Sequence, residues 1–349
     1  MAIKVKKGKG ILFEAVPDNG QVGMRVGENG RAQYVWPNRM VLPDDILTKL
    51  KKDTVPFLYP PPKPIEYQGA SWIVNMCADA DEYRNALIGL DQAFGDKLPI
   101  FNHPRAVAMT RRDLSAKLLD GIPNLIVPKC VRFKADANNS FQKTFEAEGF
   151  KYPVLVRPAT SQTGRDLVKI DTPFDWVKVY QTHWYGKYHY MTQFVDFQGA
   201  DGKFTKIRVA FVGDTMFFRG YNPSDTWKIF AAYSDTPTDA DLLRYMDKIE
   251  EFEKNATLIQ VCQEIRRRCG LDFFGIDLGL LDGGRFVLFE TNAAMSILRP
   301  TIGSADFKII KPQQDQIERS LRGYMALPAQ WQSTEGSSPT VRATFGLEP

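Results

Sequence analysis

Apolar positions along the chain repeat with a period near two in some stretches and near 3.6 in others, and the changes of period mark its elements. Residues 1 to about 59 read as short strands and hairpins, with turn signals at Asp18-Asn19-Gly20 and Glu28-Asn29-Gly30 and a helix near Pro43–Lys51. The proline run from Tyr59 to Pro64 predicts a stiff spacer and a boundary. A βαβ-like unit follows. Ser71–Cys77 is a buried strand, Tyr83, Leu87, Leu90 and Phe94 recur at helical spacing up to Gly95, and Leu98–Asn102 resumes a strand. A helix after Thr110 carries Leu114, Leu118 and Leu119, and Val127–Phe133 is another strand.

Tyr152–Ile170 reads as a strand ending at Arg157-Pro158, a small polar loop (Ala159–Gly164) and a returning strand. Thr172, Pro173 and Asp175 form a capped helix start, with proline in the first turn. His189–Phe197 is a strand. After Thr238 a long helix runs through Leu242, Met246, Ile249, Phe252, Ile259, Cys262 and Ile265. It stops at Arg266-Arg267-Arg268-Cys269-Gly270, basic charge in the last turn and then glycine. The triple arginine reads as a solvated helix end. A mixed stretch follows Pro300, and a tail poor in apolar residues begins near Gln330.

Two hairpins bear chemistry. In Phe274–Asn292, apolar runs flank Gly283-Gly284, the signal for a two-residue turn. That turn sets Asp282 against Arg285 and Asp277 against Glu290. One face, with Phe274, Ile276, Leu278 and Leu280 against Val287, Phe289 and Thr291, belongs in a core. The other carries Asp277, Glu290 and Asn292 with glycines around them. Like charges directly opposed on a sheet destabilise it. The cluster therefore calls for a cation, and oxygen-only ligands favour Mg²⁺ or Mn²⁺ over zinc. Two solvated carboxylates on an exposed face are the alternative. In Lys206–Tyr221, a turn at Gly213-Asp214 sets Arg208 against Arg219, an arrangement that repels unless an anion lies between. Surface arginines paired with acids from elsewhere are the alternative there. Lys228 adds a further cation.

Composition narrows the setting. The 349 residues are 44% hydrophobic, enough for a substantial core with two or three subdomains. Lys and Arg total 45 against 41 Asp and Glu, a net charge of +4 that does not by itself imply nucleic acid. Four scattered cysteines without a CxxC fit a reducing cytoplasm, and three histidines argue against a His-built zinc site. No run approaches a membrane span, so a soluble, cytoplasmic protein without a membrane or nucleic-acid partner is expected.

The order of these parts resembles the ATP-grasp superfamily, nearest in pattern to carboxylate–amine ligases of the RimK and glutathione-synthetase type, over about residues 68 to 300. Asp277, Glu290 and Asn292 fall on the family's metal-binding D…ExN positions. Ile207–Asp214 is similar to its IRxFVVG strand. Pro153–Gly164 resembles the strand that ends in a phosphate-binding lysine, with Arg157 at the lysine position, and the mobile loop after it, which includes Gln162. Thr192-Gln193-Phe194-Val195 resembles the adenine hinge, with Gln193 in place of the usual acid. Asp113, beside Arg111 and Arg112, stands where a second nucleotide lysine is common.

The resemblance implies an α+β, ATP-grasp fold. Its expected divisions are a β-rich N-terminal extension (1–64), a small pre-ATP-grasp α/β unit (65–105), two ATP-grasp subdomains (106–198 and 199–325) and a mobile tail (326–349). It implies an ATP-dependent ligase that activates a carboxylate as an acylphosphate and joins it to an amine, with small-molecule or peptide substrates. Asp277, Glu290 and Asn292 would hold Mg²⁺ or Mn²⁺. Arg157, Gln162, Gln193, Phe194, Val195 and Lys228 would hold ATP. Arg208 and Arg219 would stabilise developing negative charge, and Arg299 is a candidate anchor for a substrate carboxylate. A non-catalytic nucleotide-binding module and a small-molecule kinase of the same fold stay open.

Overall fold

The computed structural model describes residues 3–5, 8–27, 30–61, 65–67, 69–161, 164–229, 239–298 and 307–332. It is an α+β protein, as expected, built on three principal sheets. In the first, Lys9–Ala15 lies between Thr54–Tyr59 and Ala70–Asn75, parallel to both, and Ile100–Phe101 follows at the edge. Its strands are near-continuous apolar runs, as parallel strands covered on both faces must be. Ile11, Leu12, Phe13, Ile73 and Val74 are all buried. The division expected at residue 64 differs from this sheet, in which strands from both sides of that position are neighbours. Local turn signals suggested hairpins before residue 60, but helix Asp44–Asp53 provides a parallel crossover there. The protruding pair Gly23–Val26 and Ala32–Val35 is a hairpin.

The second sheet is antiparallel, in the order Cys130–Lys134, Tyr188–Gln193, Val154–Pro158 and Val168–Ile170. It has its own core, where Phe141, Trp176 and Val179 pack on Val154, Val156 and Met191. The capped start expected at Thr172 opens a short 3-10 turn, Pro173–Trp176, in which the Asp175 carboxylate accepts from the Thr172 amide at 2.9 Å.

The third sheet carries the chemistry. Its order is Thr215–Ser224, Phe204–Val212, Phe273–Leu281, Arg285–Asn292 and Leu125–Ile126. Ile207, Val209, Phe211, Phe274, Ile276 and Leu278 are buried and share one core with the first sheet. At about 1.5–3 kcal/mol per buried side chain, this face anchors the hairpins that hold the polar face.

Asn102 ties the first and third sheets together. Its Oδ1 accepts from the Asp272 and Phe273 amides at 3.0 and 2.9 Å, and its Nδ2 donates to the Phe273 carbonyl at 2.8 Å. The long helix expected after Thr238 is two, Asp239–Lys254 and Ala256–Cys269. Asn255 breaks it and caps the second helix by accepting from the Leu258 amide at 2.9 Å. Each arginine of the 266–268 run is engaged, Arg266 by Asp214 and Arg267 and Arg268 by Glu264. The stretch after Pro300 contains a helix that periodicity did not reveal, Phe307–Met325, which buries Ile317 and Leu321 one turn apart.

Candidate active site

Asp277 does face Glu290, but by a different route from the one the turn implied. The loop has three residues, not two, because Asp282 joins Gly283 and Gly284, and Leu281 pairs with Arg285. Both glycines are left-handed, at φ +74° and +69°. One extra loop residue shifts Leu278 onto Leu288. A bulge at Phe289 then takes up one extra residue on the returning strand and restores Asp277 opposite Glu290 and Gly275 opposite Asn292. The expected core face is corrected accordingly. Leu288 pairs with Leu278, while the Phe289 ring lies over Gly279 and against Phe197, where a Cβ on Gly279 would come within 2.6 Å of it.

The arginine hairpin is corrected too. From its turn as far as Val209–Phe218 the expected register holds, but Arg219 is then bulged out and Arg208 faces Gly220. The two arginines are not opposed. Arg219 is buried and its Nε donates to the Ile297 carbonyl at 3.1 Å, which holds the segment after Asn292. The anion beside Arg208 is Asp277 itself, directly opposite on the neighbouring strand. Arg208 Nε and Nη2 donate to its two oxygens at 2.8 and 2.9 Å, and Lys206 Nζ adds a contact at 3.3 Å.

The two bulges thus flank the Arg208–Asp277 pair. Each frees a carbonyl from the ladder for a side chain, Phe289 for Arg112 Nη1 at 2.9 Å and Arg219 for the Tyr245 hydroxyl at 2.6 Å.

Opposed carboxylates were expected to need a dication. The structure shows another resolution. Asp277 is held by Arg208 and Lys206, and Glu290 forms an ion pair with Arg112. Burial works to raise the Asp277 carboxyl, but the Arg208 guanidinium and Lys206 ammonium outweigh it and keep it below the usual carboxylate value. Arg112 begins helix Arg112–Leu119. There burial is outweighed by Glu290, and its guanidinium is held above the ordinary value.

Glu290, Thr291 and Asn292 line a cleft with Ala159, Arg111, Arg112, Asp79 and Asp81. Burial and the neighbouring Asp81 push the Asp79 carboxyl up to about 6. Asp81 accepts from Arg132 Nε at 2.9 Å and from the Tyr190 hydroxyl, which fastens the second sheet to the first. Arg111 is forked onto Asp113 at 2.7 and 2.9 Å, so the acid at the expected lysine position serves its neighbour. The buried Thr291 hydroxyl and Arg157 Nε find no hydrogen-bond partner among the described residues. Burial, and the Arg112 guanidinium nearby, pull Arg157 down to about 9. Its Nη2 donates to the Ser161 carbonyl, which fixes the start of the polar loop.

The residues expected at a hinge form a second cluster. The Gln193 side-chain amide is engaged within the chain. Its Nε2 donates to the Lys151 and Pro153 carbonyls at 2.8 and 3.0 Å, and its Oε1 accepts from the Lys151 amide at 3.2 Å. Phe194 meets Trp227 edge-on with centroids 5.8 Å apart, and Lys169 Nζ lies 4.3 Å from its ring centre. Val195 follows it, half-buried. Lys228 Nζ donates to the Leu167 carbonyl at 3.0 Å, across to the second sheet. Gln162 and Arg299 lie outside the described residues, as do the 62–64 part of the proline run and the tail beyond 332.

Sequence reasoning did not assign Lys206, Arg112, Asp79 or Asp81 to the site. Strand alternation could have found the first, since Lys206 and Arg208 share a face. The others reach the cleft only through the packing of separate elements.

Asp277, Glu290 and Asn292 supply only oxygen, the donor type that suits Mg²⁺ or Mn²⁺. Glu290 and Asn292 line the cleft, and the Asn292 side chain is steadied by the Ala294 amide at 2.7 Å. The donor set fits such an ion, although the described residues contain no cluster of three acidic, histidine or cysteine ligands. No helix among the described residues is long and apolar enough to cross a membrane.

No protein-family model and no curated protein matches the chain. Among solved structures it is similar to the VanG D-Ala:D-Ser ligase from Enterococcus faecalis, at 14% identity and a TM-score of 0.49, over 92% of this chain and 99% of that one. It is also similar to D-alanyl-alanine synthetase A from Vibrio cholerae, at 11% identity and a TM-score of 0.46, over 91% and 99% of the two chains. A third is carboxyaminoimidazole ribonucleotide synthase from Aspergillus clavatus, complexed with ATP, at 10% identity and a TM-score of 0.45, over 81% and 70%.

Proposed function

We propose that the chain is an ATP-dependent carboxylate–amine ligase of the ATP-grasp type, acting on small-molecule or peptide substrates. The observation that carries this reading is the register that sets Asp277 against Glu290 and brings Asn292 beside a cleft lined by Arg111 and Arg112. Asp277, Glu290 and Asn292 would hold Mg²⁺ or Mn²⁺, which when bound neutralises phosphate charge. Arg157, whose buried Nε has no partner among the described residues, would turn its remaining donors to a nucleotide phosphate. Phe194, Val195 and Lys228 would flank the nucleotide at the hinge. Gln193 would shape that hinge through its backbone bonds, and the loop containing Gln162 would cover the phosphates.

In the reaction, a substrate carboxylate oxygen attacks the γ-phosphorus, and the bond to the β-phosphate oxygen breaks to release ADP. The amine nitrogen then attacks the acylphosphate carbonyl. The C–O bond to phosphate breaks, phosphate leaves, and the nitrogen gives up a proton. No side-chain nucleophile is required, because positioning and charge neutralisation do the work. Arg208, fixed by Asp277, contributes positive charge beside the reacting groups. Arg219, whose Nε holds the Ile297 carbonyl, would add positive charge from the 293–298 side.

The test is ADP release from ATP and Mg²⁺ across a panel of amino acids and short peptides, with coupled products read by mass spectrometry. Amine-dependent phosphate release marks a ligase, and its absence with continued ADP formation marks a kinase. Glu290→Ala should abolish ADP release. Failure of ATP with Mg²⁺ to raise the melting temperature would refute the reading. Internal cations already neutralise both carboxylates, and this favours a second reading, a non-catalytic nucleotide-binding module. A thermal shift with ATP but no ADP release under any substrate would select it.

A further inference from the structure

Each carboxylate of the proposed metal site is held by a cation of the chain itself, but the two arrangements differ in kind. Asp277 is 4% exposed and lies within the sheet, held by Arg208 and Lys206 from the adjacent strand of the same sheet. Those cations spring from a strand hydrogen-bonded directly to the one that carries Asp277. Glu290 lines the open cleft, and its partner Arg112 comes from outside the sheet, at the first turn of a separate helix. Arg112 reaches in by its side chain alone, with one donor on the Glu290 carboxylate and another on the Phe289 carbonyl freed by the bulge. Two cations, one of them forked, share the Asp277 carboxylate, whereas Glu290 receives a single donor from Arg112, so the Glu290 contact is the weaker one to exchange.

We infer that Arg112 is a positioning residue that occupies the metal's place on Glu290, and that it must leave this carboxylate before a divalent ion can bind there. The inference rests on the ligase reading of the site. It makes metal binding an exchange of one internal cation for an external one. The empty site is then held in shape without the opposed acids repelling each other, and metal affinity stays low until nucleotide phosphates offer the displaced guanidinium a new anion. Arg111 lines the same cleft but is committed to Asp113, so it carries similar charge without the contact.

The experiment is a Mn²⁺ titration of the full-length protein, followed by the electron paramagnetic resonance signal of the free ion, with and without a non-hydrolysable ATP analogue. Without nucleotide, R112Q should bind Mn²⁺ about tenfold more tightly than the unaltered protein, the exchange cost of one charge-assisted contact. R112K should fall between them, because one ammonium does not reproduce the fork. R111Q should leave the affinity within about twofold. With the analogue bound, the gain from R112Q should shrink. Equal or weaker Mn²⁺ binding by R112Q, or an equal gain in R111Q, would overturn the inference. If R112Q does not fold, R112K decides, since unchanged affinity in that variant also overturns it. Failure of the unaltered protein to bind Mn²⁺ even with the analogue would instead remove the ligase reading, so the two failures are distinguishable.

Discussion

The Arg208–Asp277 pair gives the sharpest energetic test of the site, because it is independent of any ligand. Asp277→Ala removes a carboxylate that accepts two forked bonds at 2.8 and 2.9 Å and a third contact at 3.3 Å. Breaking a buried ion pair from one side costs about 3–5 kcal/mol, because the remaining charge is left without compensation. Here the side chains left behind are 28% exposed for Arg208 and 14% for Lys206, so water relieves part of that cost. The expected loss is therefore near the lower limit, about 3 kcal/mol. Asp277→Asn keeps the shape and one acceptor and should lose roughly 2 kcal/mol. The assay is urea unfolding at fixed pH for Asp277→Ala, Arg208→Met and the double variant. Removing both partners leaves only the Lys206 ammonium without its carboxylate, so the double variant should lose less than the two singles added together. A coupling energy of about 2 kcal/mol is expected. Additive losses, with coupling below about 0.5 kcal/mol, would show that the pair does not hold the strands in the manner described.

Three further outcomes follow from other contacts. Asn102→Ala should destabilise the protein by about 3–4 kcal/mol in the same unfolding assay, since two buried amides lose their acceptor and alanine is strained at φ 51°. Asn102→Gly should recover about 1 kcal/mol of that loss, and equal values for the two would exclude the backbone contribution. Glu82 is buried with one oxygen unpartnered among the described residues, and burial together with Asp79 pushes its carboxyl up to about 7 from an ordinary 4.5. The fold favours its protonated form, so this stabilisation is complete below about 4.5 and is lost as pH rises through about 7. Glu82→Gln should flatten that decline by about 1 kcal/mol, allowing for its partial hydration, when denaturation midpoints near pH 5 and pH 8 are compared. Gln193→Glu sets a carboxylate against the Lys151 and Pro153 carbonyls, and should lower stability by about 2–3 kcal/mol without altering the far-ultraviolet circular dichroism.

Much of the architecture can be read from local pattern, because burial imposes its period on each element separately. The alternation in Phe273–Leu281 and the helical spacing from Leu87 to Phe94 are set by which faces meet a core. The opposition of Asp277 and Glu290 could be counted from the glycine turn, although the count succeeds only because a longer loop and a bulge cancel. In the other hairpin nothing cancels the bulge, and Arg219 turns away from Arg208. Bulges answer to packing across the sheet, not to the strand that contains them, so two hairpins with equally clear turns diverged. The parallel sheet that takes in Lys9–Ala15 was hidden for a similar reason, since partners about 45 and 60 residues away leave no local mark. The counter-ions were likewise a tertiary decision. The sequence by itself determined that the two acids lie on paired strands of one glycine-turned hairpin, and the loop length and bulge that set them face to face belong to the folded sheet. Only the folded chain decided that Arg208 and Lys206 from a neighbouring strand, and Arg112 from a separate helix, would neutralise them. Coulombic attraction depends on distance in space, and chain order alone does not specify it.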